Sequence, residues 1–459
     1  MTHRPPASRT LEVGGLARVE GEGGLRIEVA DGQVVDVQLR IYEPPRFFEA
    51  FLRGRSYTEP PDLTARICGI CPVAYQMSAC RAIEAACGVV VDGPLRELRR
   101  LLYAGEWIES HALHVVMLHA PDFLGYESAI AMAADHRDLV EEGLALKKAG
   151  NELLELVGGR AVHPVNVRVG GFHRAPTRRE LRAFRPQLEA ARDLAAALVR
   201  RVAAFDVPEI DGALAGTTLV ALSHPTEYAV LDGRVVSSRG LDIDDAAFGD
   251  AIRETQVPHS TALHAHLVGG GAGEGGGGGE GDGAGEGAHH LVGPIARWAL
   301  NGTRMGGAGA ELAAEVGLER PLTNPARSVV VRAVEVLHAC DEAIAIIDAY
   351  EEPDAAAVPV EPRDASGGAC TEAPRGLLFH RYALDADGTV TDAVIVPPTA
   401  QNQPTIEHDL WHLVEAHHGP DGFDVDDDEL ARRCERAIRH HDPCISCATH
   451  FLDLVIEGR

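Results

Sequence analysis

The chain runs to 459 residues, 45% of them hydrophobic and 24% charged, with a formal net charge of −27. That balance fits a soluble globular protein, and the acidity argues against nucleic acid and anionic membranes as partners, since both are met by basic patches. Nine cysteines, an odd number in a long chain, argue against a secreted disulfide framework and turn attention to metal or redox chemistry.

In chain order, the opening "MTHRPPASRTLEV" lacks the apolar stretch of a secretory signal. No run approaches the roughly 18 apolar residues of a membrane helix. A cytoplasmic protein without a membrane span is expected, although a subunit exported with a signal-bearing partner would read the same way. "LRIEVADGQVVDVQLRIYE" alternates apolar and polar residues about Asp31-Gly32, which predicts a hairpin. From about 95 to 205 the period becomes helical. "LLYAGEWIESHALHVVMLH" and "DLVEEGLALKKAGNELLELVGG" carry apolar residues at i, i+3, i+4, the second closing on Gly158-Gly159 as a helix cap. Residues 269–288, "GGGAGEGGGGGEGDGAGEGA", cannot bury enough apolar surface to offset their ordering entropy. They read as a disordered surface insertion in a helical region, without a catalytic role. A helix is expected over roughly 326–350, a second hairpin turning at Asp387-Gly388, and a last helix over about 427–441 that stops at Asp442-Pro443. The fold class that follows is α+β and helix-rich, with small β elements near both ends.

Those β elements lie close to two C-x-x-C pairs, "RICGIC" at 66–71 and "HDPCISCATH" at 441–450, about 370 residues apart. Four thiolates select soft or borderline metals such as zinc, copper(I), iron or nickel. A zinc ribbon keeps its pairs within about 15–20 residues. A site closed by distant parts of a large fold suits a reaction centre better than a staple. Spacing alone leaves structural zinc and a redox centre both open.

The flanks change that balance. "RICGIC", which opens on Arg66, and "DPCISCATH" resemble the signature pair of nickel-iron hydrogenase large subunits, in order and in position. The resemblance extends through "LARVEGEGGLRIEV", "PRFFEAFLRGR", "IESHALHVVMLHAPD", "GGRAVHPVNVRVGGF", "TEAPRGLL" and "VPPTAQN". It is nearest to the soluble, NADP-linked sulfhydrogenase-type branch. It implies one large-subunit unit over 1–459 with a central helix bundle, catalysing reversible heterolytic cleavage of dihydrogen.

Carried over residue by residue, the resemblance implies that Cys68, Cys71, Cys444 and Cys447 hold nickel. Cys71 and Cys447 bridge to an iron bearing CO and cyanide, and Cys68 and Cys444 are terminal. Hydrogen is a weak acid, so its cleavage needs an electrophilic metal pair and a nearby base. Cys444 matches that base, and Glu20 matches the glutamate that relays the proton outward. Arg375 matches the arginine above the open metal position, and Asp122 and Asp442 match the acids that orient it. Glu49 and His450 match ligands of a structural magnesium. His111, His114 and His119 on one helix read as packed core histidines. Tyr75 stands where many members carry histidine, so oxygen tolerance and potential cannot be carried over from relatives.

The remaining cysteines, Cys80, Cys87, Cys340, Cys370 and Cys434, lack iron–sulfur cluster spacing. No G-x-G-x-x-G opens a helix outside the glycine tract. The resemblance therefore implies an iron–sulfur small subunit, flavin and NAD(P) sites on diaphorase subunits, and a maturation endopeptidase that removes residues 451–459 after metal loading. The rival readings are a non-catalytic subunit related to quinone reductases and a zinc-stapled scaffold.

Overall fold

A computed structural model describes residues 9–450 apart from 31–32, 209, 211–213, 215, 269–288 and 420–421. The glycine-rich insertion, the residues 451–459 and the Asp31-Gly32 turn of the first hairpin therefore lie outside the described residues.

The chain opens with an antiparallel meander of β1 (Arg9–Val13), β2 (Gly23–Ala30) and β3 (Gln33–Ile41). The expected hairpin joins β2 to β3, with Ala30 opposite Gln33. Helix α1 (Pro72–Cys87) follows the first cysteine pair directly, with proline at the first helical position, where no amide bond is lost.

Four long helices form the central bundle: α2 (Pro94–Ala112), α3 (Arg137–Gly158), α4 (Arg178–Ala203) and, after the sheets described next, one further helix. Gly159 ends α3 in a left-handed turn (φ 78°), as a C-cap glycine should. α4 starts in a capping box in which Thr177 and Glu180 satisfy each other's amides. α2 and α3 cross closely at two glycines. A Cβ added to Gly150 would stand 2.6 Å from the Gly105 carbonyl oxygen, so side chains are excluded at the crossing.

β structure is not confined to the ends of the chain. A four-stranded sheet joins β4 (Thr218–Ser223), β5 (Arg234–Ser237) and β6 (Asp242–Asp244), and a hairpin joins β7 (Ile252–Gln256) to β8 (Leu263–Leu267). The short β9 (His290–Leu291) pairs parallel to β4. The glycine-rich insertion thus interrupts a strand-to-strand connection rather than a helical region. β4 is buried along nearly its whole length and β6 and β9 span three residues or fewer, so neither kind shows a readable alternation.

Helix α5 (Pro294–Asn301) precedes α6 (Ser328–Ala349), the fourth bundle helix, which packs on both α2 and α4. An antiparallel sheet of β10 (Ala365–Ala373), β11 (Gly376–Leu384) and β12 (Val390–Val396) then covers α1. Helices α7 (Pro398–Ala416) and α8 (Asp427–His440) finish the fold. They lay Ile406, Leu410, Leu430 and Ile438 against Leu25, Ile27 and Leu39 of the first sheet. This apolar layer brings the two ends of the chain together.

Candidate active site

The first pair is set by a helix start. Cys68 leaves a 3-10 turn in extended conformation, and Cys71 occupies the cap position of α1. The first amides of α1 have no partner inside the helix. The buried Glu106 carboxylate supplies one, accepting from Val73 N at 2.6 Å and Ala74 N at 3.2 Å. The second pair is set by β-like pairing with the N-terminal segment. Glu20 bridges to Cys444, and Ile445 N donates to the Glu20 carbonyl at 2.9 Å. Thr399 Oγ1, at the second position of α7, accepts from Cys444 N at 3.0 Å. Arg46 ties the two loops to each other, donating to the Ile67 carbonyl at 2.8 Å and to the Ser446 carbonyl.

The four sulfurs then converge. Cys68 and Cys444 lie 3.5 Å apart, Cys71 and Cys447 3.5 Å, and Cys444 and Cys447 2.7 Å. All four are buried and lie within 4.8 Å of one another. Hydrogen bonds from the other three thiols pull Cys68 well below the usual thiol range, while burial pushes Cys444 well above it. Four buried thiolates repel one another unless a cation sits among them. The donor set therefore fits a thiolate-bound metal of the soft or borderline class, nickel, iron and zinc among them.

The proton-handling and positioning groups surround that quartet. The Cys444 thiol donates to Glu20 Oε2 at 2.9 Å, and Ser446 N donates to the same oxygen at 3.1 Å. Arg375 is buried beside the thiols. Its Nε donates to the Asp442 carbonyl at 3.0 Å and its Nη2 to Asp442 Oδ1 at 3.1 Å. Asp442 adopts a left-handed conformation (φ 52°), which lets carbonyl and carboxylate meet one guanidinium. Upstream, Arg297 donates to the carbonyls of Ala373 and Pro374 at 3.0 Å each while paired with Glu335 and Glu372, so it fixes the strand end that delivers Arg375. The Tyr75 hydroxyl is buried beside the Cys447 and Cys71 sulfurs, and its ring leans on His380 with centroids 5.6 Å apart.

Asp122 requires a correction. It does not orient Arg375. Its two oxygens accept from Arg439 Nε and Nη2 at 2.8 and 2.9 Å, and Arg18 adds a third contact. After α2 the chain passes through a π-helical turn over Leu113–His119, and Asp122 follows it in a short helix beside the end of α8. Asp122 therefore joins the N-terminal loop to α8 from beside the site.

Glu49 and His450 meet at the far side of the second pair. Glu49 Oε1 accepts from Ile395 N at 2.7 Å, and His450 Nε2 lies 2.8 Å from the Ile395 carbonyl and 3.8 Å from Glu49 Oε1. Burial pushes the nearby Glu254 carboxyl up to about 8. Carboxylate, imidazole and carbonyl are compatible with a hard cation that keeps several waters. His111, His114 and His119 are buried in the bundle. His111 Nε2 lies 3.0 Å from Glu335, and His114 Nε2 lies 2.9 Å from the Arg439 carbonyl. Burial lowers all three pKa values, most strongly at His114 and His119. Cys80, Cys87, Cys340, Cys370 and Cys434 are buried free thiols.

Sequence reasoning did not find Glu106, Arg46, Arg297 or the Ile395 carbonyl. Arg46 lies in the quoted "PRFFEA" segment and could have been singled out there. The others act through backbone groups or buried charge pairs, which leave no local pattern.

The model of the family described as nickel-dependent hydrogenase matches residues 46–142 and 322–450. The chain is 32% identical to the sulfhydrogenase 2 subunit alpha of Pyrococcus furiosus over 97% of this chain and 100% of that one. It is 33% identical to the sulfhydrogenase 1 subunit alpha of the same organism, over 96% and 97%. A crystal structure of an NAD+-reducing [NiFe]-hydrogenase in the H2-reduced state superposes with a TM-score of 0.82 at 28% identity, covering 96% of this chain and 99% of that one. With the four cysteines brought together in the folded chain, this protein belongs to the nickel-dependent hydrogenase family.

Proposed function

We propose that this large subunit interconverts dihydrogen with protons and electrons at Cys68, Cys71, Cys444 and Cys447, in a cytoplasmic enzyme that passes the electrons to an iron–sulfur small subunit and on to NAD(P). The observation that carries this reading is the contact between Cys444 and Glu20, a candidate metal thiolate touching a carboxylate that leads away from the site. When bound, a nickel–iron centre supplies the electrophile that polarises the H–H bond. Cys444 accepts the proton and hands it to Glu20 Oε2. Ser446 N holds that oxygen in place. Arg375, locked by Asp442, places a fixed positive charge beside the thiolates, which lowers the cost of developing negative charge there.

Glu49, His450 and the Ile395 carbonyl hold magnesium in this reading, fixing the second cysteine pair in its closed position. The whole chain, 1–459, is one unit, in which 269–288 is an insertion without catalytic role and 451–459 is removed by a maturation endopeptidase. Flavin and nicotinamide bind diaphorase subunits. No helix among the described residues is long and apolar enough to cross a membrane.

Infrared spectroscopy of the purified enzyme in the CO and cyanide stretching region, with nickel and iron analysis, tests the assignment. Both ligand bands and one nickel per chain are expected. Zinc at one per chain, without nickel or these bands, would establish a stapled scaffold instead.

A further inference from the structure

A second group of metal-capable side chains stands apart from the cysteines. His259 lies in the loop between β7 and β8, His264 lies on β8, and Glu407 lies in the middle of α7. One ligand atom from each falls within 4.8 Å of the other two. We propose that His259, His264 and Glu407 form a binding site for a divalent transition metal of the zinc type, which clamps the β7–β8 hairpin to α7.

Three observations carry the assignment. Each side chain comes from a different, already fixed part of the fold: Leu39 N donates to Glu407 Oε1 at 2.8 Å, and α7 packs on β8. The donor set of two imidazoles and one carboxylate is that of open zinc sites, which leave a fourth position for water. Most tellingly, His264 Nε2 is buried without a hydrogen-bond partner among the described residues, although it lies only 3.9 Å from Glu407 Oε2. A buried polar atom left unpaired costs about 1–3 kcal/mol and calls for an ion or water.

The distances suit an ion. Tetrahedral ligands bonded at about 2.1 Å stand about 3.4 Å apart. Here His259 Nε2 hydrogen-bonds Glu407 Oε1 at 2.9 Å, a contact an ion would replace, and His264 Nε2 lies 3.9 Å from Oε2, so the two values bracket that separation. A cavity of about 900 Å³, lined by His259, Ser260 and Leu263 among others, gives an ion a path to the partly exposed His259. The other such group, His224, Glu227 and Asp232, is weaker because Arg96 already neutralises both carboxylates.

The test uses the complete, metal-loaded hydrogenase, so that the cysteines are already occupied. After dialysis against a chelator, Co2+ alone is added and the visible absorption is followed. Wild type is expected to take up one equivalent, with ligand-field bands but no thiolate charge-transfer band, and Zn2+ should displace it. His264→Ala and Glu407→Gln should bind at least about tenfold more weakly, with nickel content and hydrogen activity unchanged. His259→Ala, at the solvent edge, repeats the test without opening the core. Zn2+ should also raise the melting temperature of wild type but of none of the variants. Uptake of no Co2+ by wild type, or equal uptake by all three variants, overturns the proposal.

Discussion

The Cys444 thiol and the Glu20 carboxylate are in direct hydrogen-bond contact at 2.9 Å, although 424 positions separate them. Replacing Glu20 by Gln keeps an oxygen for Ser446 N but removes the group that can carry a proton. Nickel and iron contents should stay at wild-type levels, while hydrogen–deuterium exchange with solvent falls by about 10²–10⁴-fold, the contribution of a positioned acid–base group. Exchange at the wild-type rate would mean that protons leave by another route.

Cys444→Ala removes a metal ligand and the proton acceptor together. Nickel retention and hydrogen turnover should be lost in the same variant, as metal analysis and a hydrogen-uptake assay would show. Turnover near wild type would contradict the assignment of the thiolate quartet.

Tyr75→Phe deletes a buried hydroxyl that faces the Cys447 sulfur. Burial, then the neighbouring Cys447 and Cys71 sulfurs, push its pKa well up, so the phenol stays protonated and can only donate to them. The variant should keep its metals yet change potential or oxygen inhibition, measured by protein-film electrochemistry. Unchanged voltammetry would return Tyr75 to packing alone.

Glu106→Leu leaves the Val73 and Ala74 amides buried without an acceptor. A loss of about 1–3 kcal/mol in unfolding free energy is expected, together with poorer nickel loading because Cys71 caps the same helix. Denaturant midpoints and metal content measure both. Equal stability and full loading would show that α1 starts correctly without the carboxylate.

Intact-mass measurement on hydrogen-active protein should find a chain that ends at His450. The buried His450 carbonyl accepts from Phe48 N at 2.8 Å. That carbonyl therefore packs inside, where a continuing peptide would have to find a way out. A full-length chain at full activity would remove the proteolytic step while leaving the hydrogenase assignment intact.

Much of this architecture is legible in the residues because it rests on local periodicity. The β2–β3 pairing, the cap at Gly159 and the end of the last helix before Asp442-Pro443 all follow from neighbouring side chains. The cysteine quartet was readable only through its flanks, since spacing leaves zinc open. What stayed hidden depends on long-range geometry. Asp122 pairs with Arg439, a residue 317 positions away on another helix, and no local pattern shows such a partner. Arg297 and Glu106 satisfy backbone groups far away in sequence, and the middle sheet includes strands too short or too fully buried to show a period.

The placement of the thiolates on segments about 370 residues apart makes the centre a reporter of chain integrity. Closing a loop of that length costs about 2–3 kcal/mol more than closing the 15–20-residue loop of a zinc ribbon. The bundle and sheets must supply that difference before the donors can meet. A single backbone break anywhere between Cys71 and Cys444 puts two sulfurs on each fragment, held together only by packing. Metal occupancy should then decay with the association of the pieces rather than with damage near the metal. Limited proteolysis at a loop remote from the site would therefore release nickel on the timescale of fragment dissociation, so that nickel content reads out whether the polypeptide is unbroken.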